Sequence, residues 1–179
     1  KLGQKALALD DALPLAHCFA GHVSLFKKQH EQAIAEEERA IALDPNSALG
    51  YAELGLALTY AARPEEAIGV IEKAMRLNPR SFIFPVFLSF ALHFVGRDKE
   101  AIATLKSALL RNPDYMDPHV QLAAIYSELG REAEAQAEAA EVQRLSPNAS
   151  LEVVGQRLPF KDPATTERYL AALRKAGLK

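Results

Sequence analysis

The chain has 179 residues, 49% hydrophobic and 25% charged, with 21 Lys and Arg against 23 Asp and Glu and a formal net charge of −2. That balance leaves no electrostatic footprint for nucleic acid, and the proportions are those of an ordinary core-forming protein. The richest apolar run, Phe82 to Val95, is too short for a bilayer and is interrupted by Pro85 and His93, and a lone cysteine, Cys18, excludes an internal disulfide framework and suits a reducing, cytoplasmic setting.

Taken in order, residues 1–13 read as the last turns of a helix begun upstream, in a chain that starts on Lys1 rather than Met and is expected to be a fragment. A first unit, 14–47, holds Leu15, Phe19, Val23 and Phe26 on one helix, a turn near Lys28-Gln29-His30, and Ala33, Ile34, Ala40, Ile41 and Leu43 on a second helix. In the second unit, 48–81, Tyr51, Leu54, Gly55 and Leu58 mark one helix; Pro64 opens the next, with Glu65 and Glu66 at its positive end. The third unit, 82–115, is the most apolar, from Phe82 through Phe94, with Pro85 where its first helix starts and Gly96 closing it. The fourth, 116–149, opens on Asp117-Pro118 and ends in an Ala- and Glu-rich helix from Glu132 to Leu145. Residues 150–179 read as capping helices: Leu151–Leu158, a turn at Pro159–Pro163 with Asp162 as N-cap, and Thr165–Lys175 ended by Gly177.

One phrase closes each unit. Ala40-Ile41-Ala42-Leu43-Asp44-Pro45 returns as Ala74-Met75-Arg76-Leu77-Asn78-Pro79, as Ala108-Leu109-Leu110-Arg111-Asn112-Pro113 and around Leu145-Ser146-Pro147. The prolines at 45, 79, 113 and 147 therefore keep a constant 34-residue step. An echo, Ala6-Leu7-Ala8-Leu9-Asp10-Asp11, stands one step before the first copy. Small residues keep the same step: Gly21, Gly55, Ser89 and Ala123; Ala33, Ala67, Ala101 and Ala135; Ala40, Ala74 and Ala108, with Val142 in the fourth unit. This pattern resembles the tetratricopeptide repeat family over residues 14–149. The resemblance implies an all-α helical-hairpin solenoid, a right-handed superhelix of four full repeats plus a partial N-terminal helix and C-terminal capping helices. Its helices would be ~21 Å long, and its concave groove would be lined by the first helix of each pair. The family's bulky aromatic at the fourth position is met only by Tyr51; His17, Pro85 and His119 replace it in units expected to pack less tightly there.

The residues offer little chemistry. His17, His22, His30, His93 and His119 form no HExxH pair and no metal-ligand spacing; no catalytic residue, metal or cofactor is expected. Cys18 reads as a buried inert thiol, and Glu31, Glu36, Glu37 and Glu38 as a solvated helix face rather than a partner site. The resemblance points the groove toward His22, Phe26, Leu56, Tyr60, Phe90, His93, Phe94 and Ser127. Phe26, Tyr60 and Phe94 recur at the 34-residue step as a ladder along one wall. That ladder marks an interaction site, or else it packs between neighbouring helices or lies under the missing N-terminus. The clamp with which some family members hold chaperone C-termini falls here on Cys18, His22, Glu53, Ile83 and Phe87, or one unit on at Ala52, Leu56, Phe87, Asp117 and Gln121; neither set is basic. An apolar helix or extended peptide is the better-matched protein partner.

The tail string Arg157-Leu158-Pro159-Phe160-Lys161-Asp162-Pro163, followed by Leu170 to Leu178, resembles the ending of bacterial class III adenylate/guanylate cyclases that carry C-terminal tetratricopeptide repeats. It implies only what the parent protein is, because the cyclase catalytic machinery is not in this chain. The expected function is a non-catalytic protein-interaction scaffold of a larger bacterial signalling protein, or alternatively a homo-oligomerisation element that assembles the parent enzyme.

Overall fold

The computed structural model describes residues 12–179. The expected end of a preceding helix falls mostly on residues 1–11, outside the described residues. Among the described residues there are ten α-helices and no strand. They are α1 (Pro14–Phe26), α2 (His30–Leu43), α3 (Ala48–Tyr60), α4 (Pro64–Leu77), α5 (Phe84–Phe94), α6 (Asp98–Arg111), α7 (Met116–Glu128), α8 (Glu132–Leu145), α9 (Leu151–Gln156) and α10 (Pro163–Lys175).

The 34-residue step is built by two kinds of helix ending. Each second helix stops on an extended residue, Asp44, Asn78, Asn112 or Ser146, with φ between −134° and −146°. A proline follows each of them, and the residue before proline is driven out of the α region. Each first helix stops on a residue in the left-handed region: Lys28 (φ 59°), Ala62 (φ 63°), Gly96 (φ 76°) and Gly130 (φ 73°). There the chain doubles back through one repeated hydrogen bond, Gln29 N–H to Ser24 O, Arg63 to Leu58, Arg97 to Leu92 and Arg131 to Tyr126, at 2.8–2.9 Å. Glycine meets this conformation without strain in two units; Lys28 and Ala62 adopt it with a side chain.

Helices pair in hairpins, α1 with α2, α3 with α4, α5 with α6 and α7 with α8. The first helices also stack side by side as one layer, and each of α2, α4 and α6 packs against the first helix that follows it. The crossings need small residues. Ala33, Ala67, Ala101 and Ala135 are at most 1% exposed. A Cβ on Gly55 would lie 2.2 Å from Ile71 Cγ1, so the α3–α4 approach has no room for one.

Where the family aromatic is missing, polar bridges join the paired helices. His17 Nδ1 lies 2.7 Å from Glu36 Oε2, and His119 Nδ1 2.6 Å from Glu138 Oε2, while His119 Nε2 also reaches the Pro113 carbonyl at 3.2 Å. Glu36 is therefore an interhelical partner and not part of a solvated face. Glu37 departs further from that expectation: it is 1% exposed. Ile71 and Leu105 hold the same place one and two repeats on, and both are fully buried, so the repeat itself turns Glu37 into the core.

The C-terminal segment holds two helices, close to the expected bounds. α9 is one short stretch ending at Gln156, and α10 begins at Pro163, where Asp162 accepts the Ala164 and Thr165 N–H groups at 3.0 and 3.2 Å. α10 packs mainly against α7, on the side of the first helices. The Leu151 N–H closes the end by donating to the Lys179 carbonyl at 2.7 Å.

Candidate functional site

The layer of first helices carries a cavity of about 400 Å³. α1 contributes His22 and Phe26, α3 Leu56 and Tyr60, α5 Val86, Phe87 and Phe90, and α7 Val120; Val154, Arg157, Leu158 and Tyr169 of the tail form the opposite wall. Five of the eight groove residues expected from sequence thus come together: His22, Phe26, Leu56, Tyr60 and Phe90. Phe26 is 45% exposed at the edge. His22 packs its ring 4.9 Å from that of Phe26 and holds Glu53 Oε2 at 3.0 Å; this hydrogen bond raises the imidazole pKa.

The other three lie elsewhere. His93 is buried, with Nδ1 2.7 Å from Asp98 Oδ1 and Nε2 3.5 Å from Glu128 Oε2. Ser127 is buried, and its hydroxyl has no hydrogen-bond partner. Phe94 borders a second cavity of about 310 Å³, shared with Tyr60, Phe160 and Arg168.

The aromatic ladder is not an open wall. Phe160 stands between two of its rungs, with ring centroids 4.9 Å from Tyr60 and 5.3 Å from Phe94, and it also meets Phe90 at 5.7 Å. Phe160 is 3% exposed. The non-helical stretch around it is tied to the first two hairpins. The Lys161 N–H donates to the Tyr60 carbonyl at 2.9 Å, and His30 Nε2 donates to the Pro159 carbonyl at 2.6 Å. Lys161 Nζ reaches Glu31 Oε1 at 3.2 Å. The tail covers Tyr60 and Phe94, and Phe26 alone of the ladder stays open. Sequence reasoning missed Phe160 and His30 as parts of this surface, because nothing in a repeat pattern connects residues 129 positions apart.

The Cys18 thiol is buried and pushed up to about 12, first by burial and then by the neighbouring Glu37, which keeps it protonated and unreactive. Glu37 is raised to about 9, chiefly by burial and then by the charge of Glu53. The Cys18 thiol stands beside its carboxyl, yet no donor meets either oxygen with hydrogen-bond geometry. Among the described residues no group of three His, Cys, Asp or Glu is placed to hold a metal ion, and no helix is long and apolar enough to cross a membrane.

Two family models, each described as tetratricopeptide repeat, match residues 15–47 and 95–152. No curated protein sequence matches the chain. Among solved structures it is similar to TTC0263, described as a thermophilic TPR protein in Thermus thermophilus, at 25% identity and TM-score 0.75 over 96% of this chain and 87% of that one. It is also similar to PilW, described as a widely conserved type IV pilus biogenesis factor, at 19% identity and TM-score 0.75 over 97% of this chain and 78% of that one. YrrB, described as a TPR protein with an unusual peptide-binding site, matches at 20% identity and TM-score 0.61 over 98% of this chain and 91% of that one. The last two likenesses are of fold alone. Hairpins in the 34-residue step, family models on both sides of the centre and these neighbours converge: residues 15–47 and 95–152 belong to the tetratricopeptide repeat family, and the chain is a tetratricopeptide-type helical solenoid.

Proposed function

We propose that the chain captures a segment of a protein partner in the cavity across α1, α3, α5 and α7. The observation that carries this reading is an apolar cavity of about 400 Å³ with aromatic side chains at its edge, walled by Leu56, Val86, Phe87 and Phe90 and open at Phe26. Such a volume suits two or three inserted side chains. A helix of 10–12 Å diameter needs on the order of 400–600 Å³ per turn, so an extended segment fits better than a helical one. His22 at the wall supplies a polar group for its backbone.

The test is a random peptide library displayed against the chain, followed by affinity measurement on Phe26→Ala with Phe87→Ala. Selected peptides should bind this double variant at least about tenfold more weakly, with helicity by circular dichroism unchanged. Equal affinity would place binding elsewhere. A second reading, self-assembly of the parent protein, draws on Leu15 and Phe19 of α1, 53% and 57% exposed; a solution mass that stays monomeric at high concentration would dispose of it. A cytoplasmic setting and a bacterial nucleotide-cyclase parent are part of the same proposal, supported by Cys18 as a buried free thiol and by the tail strings Arg157 to Pro163 and Leu170 to Leu178.

A further inference from the structure

The segment seated on the aromatic ladder binds as a peptide ligand binds. It lies outside any helix from Leu158 to Phe160 and bends at Lys161, it pairs its backbone at two points, with Lys161 N–H on the Tyr60 carbonyl and the Pro159 carbonyl on His30 Nε2, and it inserts one aromatic ring between Tyr60 and Phe94. Its basic side chain then meets an acid, Lys161 on Glu31. Backbone pairing with alternate side-chain pockets is the general grammar of extended-peptide recognition. The cavity proposed above continues directly from this seat, since Leu158 lines it.

We propose that Leu158–Lys161 is a built-in occupant of the binding surface, and that the partner carries an extended segment of the same chemistry, apolar–Pro–aromatic–basic, which binds by displacing it. This rests on the reading of the first-helix face as a capture surface. The displaced element is small. Only Leu158, Pro159 and Phe160 of the strap are buried, while Arg157, Lys161 and Asp162 are exposed. α9 before it has no buried residue. α10 after it has its own anchors, Ala172 and Leu173, and its own N-cap in Asp162, so it stays on α7 when the strap lifts.

The same facts select a foreign segment over a second copy's tail. Exchange between copies must unseat α10 together with Tyr169, Leu173 and Leu178, each at most 3% exposed. A partner peptide needs to unseat three side chains. Glu31 at the seat, with Glu65 lining the adjoining cavity, gives the surface its preference for a basic residue after the aromatic.

The experiment uses the full chain and a Leu158→Ser/Phe160→Ser variant, with a fluorescein-labelled synthetic peptide of the sequence Arg157–Pro163 as probe, read by fluorescence polarisation. The peptide should bind the variant at least about tenfold more tightly than the wild-type chain, and a peptide with alanine in place of the phenylalanine should bind neither. In the wild-type chain the Lys161 amide should exchange its hydrogen faster than interior α7 amides, because the strap opens alone. Equal binding to both chains, or to neither, overturns the proposal, as does a Lys161 amide as slow as α7, which also decides the matter if the variant fails to fold. A stable dimer of the variant in multi-angle light scattering would assign the seat to tail exchange instead. If library peptides still bind the variant through Phe26 and Phe87 while the strap peptide does not, the displacement proposal falls and the capture surface stands.

Discussion

Replacing Glu37 by methionine should stabilise the protein, and by an amount that grows with pH. The carboxyl is 1% exposed, both oxygens lack a hydrogen-bond partner, and a Cβ on Gly21 would lie 2.2 Å from Glu37 Oε1, so the side chain fills the α1–α2 crossing as Ile71 fills the one over Gly55. Burial, reinforced by Glu53, holds its pKa at about 9 against 4.5 for the free group. A folded-state pKa above the unfolded one makes a contribution that is fully present below pH 4.5 and is lost as pH rises toward 9, because the unfolded chain ionises the group while the folded chain must keep it neutral. Each pH unit in that window costs about 1.4 kcal/mol. Between pH 5 and pH 7 the loss is therefore about 3 kcal/mol, a large part of the roughly 5–15 kcal/mol that holds an ordinary domain.

Urea denaturation of the wild-type chain and Glu37→Met, followed by circular dichroism from pH 5 to pH 8, measures this. The curves should separate by about 1.4 kcal/mol per pH unit, with the variant always the more stable. Taking the difference between the chains removes the titration of groups that do not interact with Glu37. A separation that stays constant across the range would refute the reasoning, since Glu37 would then titrate alike in both states. The same result would mean that its burial is relieved by water or by movement of α1.

Two further outcomes follow from the packing. Gly55→Ala should lose about 1–3 kcal/mol in denaturation, because its methyl meets Ile71 Cγ1 at 2.2 Å, and Ile71→Ala, which removes that atom, should couple favourably to it in a double-mutant cycle. His119→Ala should cost about 1–3 kcal/mol, since it strips Glu138 and the Pro113 carbonyl of a buried partner; His93→Ala, with its own Asp98 and Glu128 partners, serves as the comparison from a different pair of helices.

The solenoid is legible because its signals are local and repeated. Proline after Asp44, Asn78, Asn112 and Ser146 ends the second helices, and the alanines at the crossings have no room to vary. The same register carries more than composition does in two places. Lys28 and Ala62 stand one repeat apart, in the positions that Gly96 and Gly130 take in the later units, so the turn conformation is readable there without glycine. Composition groups Glu37 with Glu31 and Glu38, although its register with Ile71 and Leu105 places it inside. A charge run on a helix is only as solvated as the period allows: at about 3.6 residues per turn, four consecutive residues of a helix packed on one side reach all the way round it, and register decides which of them faces the core.

The strap is illegible for the opposite reason. In an array of repeats each unit meets its neighbours, so a sequence read by period yields contacts one repeat apart and few others. His30 with Pro159, at a separation of 129, and Lys161 with Tyr60 fall outside that rule. They come from a segment whose turn signal, Pro159 and Pro163, is visible but whose destination is set by three-dimensional complementarity between Phe160 and two rungs of the ladder. The contact changes the physics of the array. Without it, among the described helices, opening of the first hairpin would concern chiefly α3 beside it; with it, the first hairpin holds the tail through His30 and Glu31, and the tail holds α5 through Phe90 and Phe94. Whatever lifts the strap therefore uncovers the first-helix face and releases the tie between the first hairpin and the tail.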